Sequence, residues 1–310
     1  MKPVVCLMGP TASGKTDLAL WLCDRLPMDI VSVDSALVYR GMDIGTAKPE
    51  ADVLRQYPHA LVDILDPAQA YSAARFVDDA KKEIQRIQAS DRIPLLVGGT
   101  MLYFHALQGG LDDLPQADEA LRMRLRQEAE QAGWPALHAR LVALDPAVST
   151  RIKPNDSQRI QRALELIEIT GQTPSELYAS GSAAEHVESR YLNFALMPED
   201  RSALHERIAM RYKLMIEKGL LAEVKALMSR GDLSLELPSM RCVGYRQSWQ
   251  HLQGDYSLDE SIERGIIATR QLAKRQMTWL RRTGLLLSMD PLLTNAGDRM
   301  LAALQEQKLI

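Results

Sequence analysis

A glycine-rich segment near the start of the chain combines the residue types that bind phosphate. It reads GPTASGKT and matches the P-loop spacing G-x-x-x-x-G-K-[ST]. In such a loop, backbone N–H groups surround phosphate oxygens, the lysine adds a full charge and the last hydroxyl can ligate Mg²⁺. The predicted phosphate contacts are Gly9, Pro10, Thr11, Ala12, Ser13, Gly14, Lys15 and Thr16, with Thr16 as the metal ligand.

The flanking sequence favours this interpretation over a glycine-rich turn without a ligand. An apolar run, Val4–Met8, comes before the segment and predicts a buried strand. An amphipathic run, Lys15–Leu26, follows it and predicts a helix. The strand–loop–helix order is the context that a P-loop requires.

The acidic residue of a typical P-loop NTPase is missing from its expected place. The most apolar predicted strand after the P-loop, Ile93–Val97, ends in Gly98-Gly99-Thr100 rather than in an aspartate that would hold Mg²⁺. A strand that does end in an acid is Asp29–Asp34, and Asp34 lies only 18 residues beyond Thr16. Asp34 could take a proton from an incoming nucleophile, or it could be a turn residue at a strand end.

A hydroxyl lies at the end of the neighbouring predicted strand. Thr100 precedes an apolar segment, Met101–Leu107, that has the character of a helix. Its hydroxyl could cap that helix, hold a leaving oxygen at the phosphates, or do both. A phosphate cradle, an acid and a hydroxyl together favour a group-transfer enzyme over an ATPase.

The elements that must position these residues alternate between strand and helix in the first hundred residues. Further predicted elements are a third strand at His59–Ile64 and a helix at Tyr71–Ala89. Such alternation is typical of a mostly parallel sheet with helices on both faces. The predicted fold class is therefore α/β, a P-loop NTPase-like core, with ligands at the carboxyl ends of the strands.

The middle of the chain changes character. Three helices separated by prolines are predicted at Gln116–Ala132, Trp134–Leu144 and Asn155–Thr170, and the next strand-like run is Arg190–Met197. We interpret residues 112–189 as an all-helical insertion in a core formed by residues 1–111 and 190–310. The core is predicted to continue with helices near 201–217, 219–230, 239–252 and 258–282 and an edge strand at Leu285–Met289.

Composition restricts the class of protein. The chain has 310 residues, 46% of them hydrophobic and 25% charged, and no apolar run long enough to span a bilayer. We expect a cytoplasmic protein without a signal peptide, because cleavage would remove the P-loop. Cys6, Cys23 and Cys242 match no metal spacing, and the first two are expected to be small buried residues.

The net charge of −3 does not by itself indicate a nucleic-acid partner, but one segment does. Between Arg264 and Arg282 there are six basic residues and no acid. On a helix, Arg270, Lys274 and Arg281 share one face, which suits an RNA phosphate backbone. The alternative is a solvated basic helix surface.

Four segments resemble the tRNA dimethylallyltransferase (tRNA isopentenyltransferase) family of bacterial type. They are Asp34–Pro49 (DSALVYRGMDIGTAKP), Gly98–Tyr103 (GGTMLY), Arg241–Arg246 (RCVGYR) and Thr269–Gln276 (TRQLAKRQ), the last followed by TWLR at Thr278–Arg281. The four occur in the family's order, from the P-loop to about Arg281.

The resemblance implies transfer of a dimethylallyl group from dimethylallyl diphosphate to an adenosine amine. That adenosine lies immediately 3′ of the anticodon in tRNAs that read codons beginning with U, and diphosphate is released. Mg²⁺ is implied as the cofactor and the anticodon stem-loop as the RNA partner. The helical insertion is implied to bind that stem-loop. A monomer is expected. The implied catalytic residues are Asp34, Thr100, Lys15 and Arg211.

The resemblance also implies contacts to tRNA. In the core these are Asp34, Ser35, Ala36, Leu37, Thr100, Arg241, Cys242, Val243, Gly244, Tyr245, Arg246, Lys274, Arg275, Gln276 and Arg281. In the insertion they are Arg122, Gln158, Arg159, Ile160, Gln161 and Arg162, where an amphipathic helix stabilised by Arg–Glu pairs is the alternative.

Three other functions stay open at this point. A P-loop small-molecule kinase would use Asp34 to hold an acceptor hydroxyl. An isopentenyltransferase acting on free adenine nucleotides would share the P-loop and the acid but would have less need of the insertion. An RNA-binding module without chemistry would not need Lys15 and Thr16.

Overall fold

The computed structural model describes residues 2–109, 114–115, 117–180, 191–291 and 295–307, except for the side chains of residues 178–180. The chain forms two compact units. The core unit comprises Met1–Gln108 and Val187–Ile310, and the helical unit comprises Gly109–His186. The boundaries that we predicted, between 111 and 112 and between 189 and 190, lie outside the described residues.

A parallel sheet organises the core unit. Among the described residues it contains β1 (Val4–Met8), β2 (Met28–Val33), β3 (His59–Ala60), β4 (Ile93–Gly98), β5 (Tyr191–Leu196) and β6 (Leu287–Met289). The strand order is β3-β2-β4-β1-β5-β6, and every neighbouring pair is parallel. This arrangement confirms the predicted α/β fold class, and it brings the carboxyl ends of β1, β4 and β2 side by side.

Both faces of the sheet are buried. Val4, Cys6 and Met8 of β1 pack into one hydrophobic core, whereas Val5 and Leu7 pack into another on the opposite face. Successive strand side chains point to opposite faces, so a strand that is apolar at every position must be covered twice. Continuous apolar runs in the sequence therefore indicate central strands of a parallel sheet.

Helices cover the sheet. Those of the core unit are α1 (Lys15–Cys23), α2 (Ala51–Gln56), α3 (Ala73–Ala89), α4 (Met101–Gly109), α9 (Arg201–Glu217), α10 (Leu220–Ser229), α11 (Tyr245–Leu252), α12 (Leu258–Leu280) and α13 (Ala296–Glu306). Among the described residues no helix is long and apolar enough to cross a membrane.

The helical unit has its own core. Its helices are α5 (Glu119–Ala132), α6 (Trp134–Leu144), α7 (Ser157–Thr170) and α8 (Pro174–Ser180). Asp118 caps α5 and Asp156 caps α7, each accepting a hydrogen bond from a backbone N–H of the first turn. Leu125, Leu141, Ile160 and Leu164 are buried together between the helices.

Several predicted elements of the core are too long. The predicted helix Lys15–Leu26 ends at Cys23, and the predicted edge strand Leu285–Met289 begins at Leu287. The third strand is His59–Ala60 rather than His59–Ile64, because Leu61 (φ 65°) and Asp63 (φ 55°) adopt left-handed backbone angles that end the strand. The helix predicted at 239–252 begins only at Tyr245, because Gly244 has a φ of 96°. The segment before Gly244 is an irregular connection between α10 and α11.

The cysteines agree with the prediction only in part. Cys6 is fully buried on β1, and burial raises the pKa of its thiol above the ordinary range. Cys23 is half-buried near the end of α1 rather than buried. All three cysteines are free thiols.

The contact between β2 and β4 leaves no room for a side chain at Gly98. Gly98 lies opposite Val33, and a Cβ added at Gly98 would overlap the carbonyl oxygen of Val33. We expect Gly98→Ala to lower the free energy of unfolding by about 1–3 kcal/mol or more, measured by urea denaturation. Gly284→Ala is the matched control, because a Cβ there meets no atom within 4 Å. Equal stability of the two variants would contradict the observed register.

Candidate active site

The N-terminus of α1 lies at the P-loop and has no capping side chain. Gly14, with a φ of 81°, precedes the first helical residue and makes no side-chain cap. Ala12 is also left-handed, with a φ of 62°. Alternating backbone conformations of this kind turn successive N–H groups toward one point, where they form an anion-binding concavity. In contrast, α3, α9 and α12 are capped by Ser72, Asp200 and Ser257.

Lys15 lies at this concavity, and its surroundings disfavour the charged form of its ammonium group. Its Nζ donates to the carbonyl oxygen of Pro10 at 2.6 Å. Burial is the main cause that lowers the pKa of Lys15 to about 7; the charge of Arg211 lowers it further, and Asp34 opposes both. A bound polyanion would reverse the balance and favour the charged ammonium group.

Helix α9 contributes two arginines to the same place. Arg207 and Arg211 are one turn apart and both line the cavity described below. Burial lowers the pKa of Arg211 from its usual value, and the nearby Asp34 counteracts this. An arginine remains charged in either case, so Arg211 supplies a half-buried cation that interacts electrostatically with both Lys15 and Asp34.

Asp34 follows β2 directly and is held by its own backbone. Its Oδ1 accepts hydrogen bonds from the backbone N–H of Ala36 at 2.8 Å and of Leu37 at 3.3 Å. The turn interpretation of Asp34 is therefore correct, but it leaves Oδ2 without a hydrogen-bond partner among the described residues. One carboxylate oxygen fixes the side chain while the other is available to a substrate.

Thr100 is tied to the same turn. Its Oγ1 accepts from the backbone N–H of Ser35 at 3.0 Å and lies 3.3 Å from the Ser35 hydroxyl. The hydroxyl thus bonds to the end of β2 instead of capping α4. This links the ends of β2 and β4 through their side chains and backbone, next to the P-loop at the end of β1.

These groups line one cavity of about 990 Å³ in the core unit. The residues predicted to act in catalysis, Lys15, Asp34, Thr100 and Arg211, all contribute to its wall. Apolar side chains complete it, among them Leu37, Ile208, Met210, Leu214, Leu272 and Trp279. The cavity therefore combines an anion site, a carboxylate and an apolar wall, which suits a substrate that has both a phosphate end and a hydrocarbon end.

Comparison with known proteins agrees with this geometry. The family model described as IPP transferase matches residues 37–283. The chain belongs to the IPP transferase family. It is 61% identical to the tRNA dimethylallyltransferase of Janthinobacterium sp. (strain Marseille), over 91% of this chain and 90% of that one. It is 55% identical to the tRNA dimethylallyltransferase of Bordetella petrii, over 98% and 97% of the two chains.

Solved structures of the IPP transferase family share the fold. The tRNA isopentenylpyrophosphate transferase of Bacillus halodurans is 34% identical and superposes with a TM-score of 0.71, covering 99% of this chain and 98% of that chain. A eukaryotic dimethylallyltransferase acting on tRNA is 27% identical, with a TM-score of 0.79 over 97% of this chain and 78% of that chain. The resemblance noted in the sequence is confirmed.

The predicted RNA contacts of this family member differ in their accessibility within the core unit. Arg246, Lys274, Arg275 and Arg281 are exposed. Ser35, Ala36, Leu37, Arg241, Cys242 and Val243 line the cavity. Burial, with a smaller effect of Asp34, raises the pKa of the Cys242 thiol to about 12, so this group is neutral.

Three of these predictions need correction, because the side chain is absent or directed inward. Gly244 is buried at the start of α11. Tyr245 is fully buried, and its hydroxyl donates to Glu223 at 2.5 Å. Gln276 has only 9% of its surface exposed, and both ends of its carboxamide bond to backbone. The polar groups of Tyr245 and Gln276 are thus engaged within the protein, although Gln276 also lines the cavity.

In the helical unit an ion pair engages two predicted RNA contacts. Arg122 and Arg162 both donate to Glu165, at 2.8 and 2.6 Å, and Glu165 is fully buried. Burial acts to raise the pKa of Glu165, but the hydrogen bonds from the two arginines and from the backbone N–H of Asp118 together hold the pKa below its usual value. The Arg–Glu alternative weighed from the sequence is thus present, with part of each arginine still exposed.

The other predicted contacts of the helical unit lie on α7. Gln158 and Arg159 are exposed, whereas Gln161 donates to the carbonyl oxygen of Arg122 at 2.9 Å. Ile160 has no exposed surface and packs in the core of this unit. Its side chain is therefore not accessible to RNA, in contrast to the prediction.

Sequence reasoning missed two residues that organise the site. Arg207 lines the cavity one turn before Arg211, and this i, i+4 spacing was a usable signal. Glu223 of α10 accepts hydrogen bonds from the backbone N–H groups of Asp43, Ile44 and Gly45 at 2.9, 2.8 and 3.2 Å. It thereby fixes the irregular segment after Asp34. A contact across 180 residues leaves no local trace in sequence.

The lowered pKa of Lys15 predicts a pH-dependent stability. Because the folded-state pKa is about 7 and the usual value is 10.5, the unfolded chain binds more protons between these limits. The stability of the ligand-free protein should therefore rise with pH across this window. We expect Lys15→Met to be more stable than the wild type near pH 7, with a difference that shrinks toward pH 10, measured by urea denaturation.

Lys225→Met is the control for this series, since Lys225 is exposed on α10. Its difference from the wild type should stay constant over the same pH range. A Lys15→Met variant whose stability difference is likewise independent of pH would contradict the electrostatic description of the P-loop.

Proposed function

We propose that the protein transfers a dimethylallyl group from dimethylallyl diphosphate to the exocyclic amine of an adenosine in tRNA. The adenosine is the one immediately 3′ of the anticodon in tRNAs that read codons beginning with U. The observation that carries this proposal is the meeting of the P-loop, Asp34 and Thr100 in one cavity of a chain that belongs to the IPP transferase family. The curated relatives named above are tRNA dimethylallyltransferases.

The P-loop side of the cavity holds the leaving group. As the bond between the allylic carbon and the bridging oxygen breaks, the electron pair goes to that oxygen and negative charge develops on diphosphate. The backbone N–H groups of Ala12–Thr16, Lys15 and Arg211 stabilise this charge, and Thr100 donates a hydrogen bond to the bridging oxygen. Preorganised groups of this kind need no rearrangement when the charge appears.

Asp34 acts on the nucleophile. The exocyclic amine of adenine is a weak nucleophile because its lone pair is delocalised into the ring. As the carbon–nitrogen bond forms, the amine must lose a proton, and Oδ2 of Asp34 accepts it. The bonds to Ala36 and Leu37 orient the carboxylate through Oδ1, so proton transfer does not disturb its position.

Mg²⁺ is the proposed metal, and the donor set fits it. Among the described residues no three histidine, cysteine or acidic side chains form a metal cluster. Thr16 and Ser32 nevertheless line the cavity, and the hydroxyl of Ser32 is buried without a hydrogen-bond partner. Mg²⁺ prefers oxygen ligands and is commonly held by few protein groups together with substrate phosphates and water. When bound, it would neutralise diphosphate charge, with Thr16 as its protein ligand.

The tRNA must present its adenosine to the cavity. A base stacked within the anticodon loop cannot reach Asp34, so it has to be extruded into the core unit. Ser35, Ala36 and Leu37 then lie beside the base, and the exposed Arg246, Lys274, Arg275 and Arg281 bind phosphates. We propose that the helical unit grips the anticodon stem-loop, using exposed residues such as Gln158 and Arg159.

We propose that one chain acts alone. All residues that line the cavity belong to the core unit, which supports action as a monomer. We also propose a cytoplasmic location, because tRNA is found there.

Labelled dimethylallyl diphosphate offered with unmodified tRNA, AMP or ATP distinguishes the candidate functions. We expect label in the exocyclic amine of one adenosine of tRNA, identified after nuclease digestion. Label in AMP or ATP alone would identify a free-nucleotide isopentenyltransferase. Phosphate release from ATP without prenyl transfer would identify a kinase or ATPase, and either result would overturn the proposal.

Substitutions at the two polar groups test the mechanism separately from binding. We expect Asp34→Asn to reduce kcat by roughly 10²–10⁴-fold, because it removes the base but keeps the shape of the side chain. Thr100→Val should reduce kcat by about 10²–10³-fold, because it removes a donor to the leaving oxygen. Single-turnover transfer and tRNA binding should be measured side by side.

The control is Asp298→Asn on the exposed face of α13, which should transfer at the wild-type rate. Binding of tRNA should survive in all three variants. Near-normal transfer by both Asp34→Asn and Thr100→Val would refute the assigned roles even if the overall function is correct.

A further inference from the structure

One carboxamide connects the two halves of the proposed diphosphate site. Oε1 of Gln276 accepts a hydrogen bond from the backbone N–H of Thr11 at 2.9 Å, inside the P-loop. Nε2 of the same side chain donates to the carbonyl oxygen of Gly99 at 2.9 Å, immediately before Thr100. Gln276 thus joins the carboxyl ends of β1 and β4 from a third element, α12.

The surroundings of Gln276 leave little freedom. Its side chain is 9% exposed, and a Cβ added at Gly99 would overlap its Nε2. The glycine is therefore required for the close approach of the carboxamide to the strand end. A buried carboxamide is tolerated only when its polar atoms are hydrogen-bonded, and here one acceptor and one donor are satisfied by backbone groups.

Gln276 binds the N–H of Thr11 in the P-loop and the carbonyl oxygen of Gly99, the residue before Thr100. In the proposed mechanism the P-loop and Thr100 must act on the same diphosphate. The P-loop holds the phosphates, and Thr100 donates to the oxygen that bridges them to the allyl group. A misplacement of about 1 Å between such groups can reduce a rate by about 10²-fold. The rate of transfer should therefore depend on the distance between the P-loop and the Thr100 hydroxyl, and Gln276 bridges the two segments.

We propose that Gln276 is a positioning residue for the transfer reaction. It fixes Gly9–Thr16 relative to Thr100, so that one diphosphate meets both. This inference rests on the proposed function, which supplies the diphosphate. In this role Gln276 acts through its bonds to Thr11 and Gly99, although it also lines the cavity and its neighbours Lys274 and Arg275 are exposed on the same helix.

Gln276→Glu is the informative variant because its defect depends on protonation. The ionised carboxylate keeps an acceptor for Thr11 but cannot donate to Gly99, whose carbonyl oxygen it would face. The protonated acid restores both bonds with nearly the same shape, and burial favours this neutral form. We expect kcat to fall by about 10²-fold at pH 8.5 and to approach the wild-type value toward pH 6, with little change in KM for tRNA.

Gln276→Ala and Gln271→Glu are the matched controls. Gln276→Ala removes both bonds and should lower kcat by a similar factor at every pH. Gln271 lies on the exposed face of α12, so Gln271→Glu adds the same charge to the same helix and should keep the wild-type pH profile. Thermal unfolding of each variant establishes that it is folded at the assay temperature.

A double-mutant cycle provides a second test. Gly99→Ala should displace the Gln276 side chain and reduce kcat, and combining it with Gln276→Ala should reduce kcat hardly more than the larger single effect. Additive losses would mean that the two residues act independently and would overturn the inference.

The outcomes separate this inference from the function on which it rests. Absence of transfer by the wild type would refute the proposed function. Transfer by the wild type, with a Gln276→Glu to wild-type ratio of kcat that does not change with pH, would overturn the positioning role. A raised KM for tRNA with unchanged kcat would instead make Gln276 an RNA contact.

Discussion

Helix α1 begins at the P-loop with its first backbone N–H groups uncapped, and the chemistry of the site depends on that arrangement. Left-handed backbone at Ala12 and Gly14 shapes the concavity, and burial lowers the pKa of Lys15 to about 7. Such a site is electrostatically unfavourable without an anion and becomes favourable when diphosphate binds. In the proposed mechanism, the same groups that bind the diphosphate also stabilise the charge that forms when the allylic bond breaks.

The parallel sheet places the other polar residues of the site next to the P-loop. Because β1, β4 and β2 are neighbours and point the same way, the P-loop, Thr100 and Asp34 meet at their carboxyl ends. In the proposed mechanism, the P-loop after β1 and Thr100 after β4 act on the leaving group, and Asp34 after β2 acts on the nucleophile. Helix α9 adds Arg207 and Arg211 to the wall of the cavity. A P-loop thereby suits a prenyl diphosphate, with the proposed base Asp34 at the end of β2, while β4 ends in Gly98-Gly99-Thr100 instead of the metal-binding acid of an NTPase.

The sequence predicted those parts of the structure that local patterns determine. Apolar strands, the P-loop and the acid at the end of β2 are local, and both the fold class and the common location of Lys15, Asp34 and Thr100 follow from them. Arg211 was identified through the family resemblance instead. Contacts between distant segments were not predictable. Gln276 was assigned to RNA, because nothing near it in sequence shows that Thr11 and Gly99 hold it. The third strand is shorter than predicted because Leu61 and Asp63 have left-handed backbone angles. The apolar residues of this segment give no sign of those angles.

A crystal structure of the Asp34→Asn variant with dimethylallyl diphosphate and an anticodon stem-loop would test the central assignment most directly. We expect the diphosphate on the backbone N–H groups of the P-loop, with its bridging oxygen within hydrogen-bonding distance of Thr100. The extruded adenine should place its exocyclic amine beside residue 34. Diphosphate bound away from the P-loop, or an adenine whose amine lies out of reach of residue 34, would contradict the assignment of leaving-group and base roles.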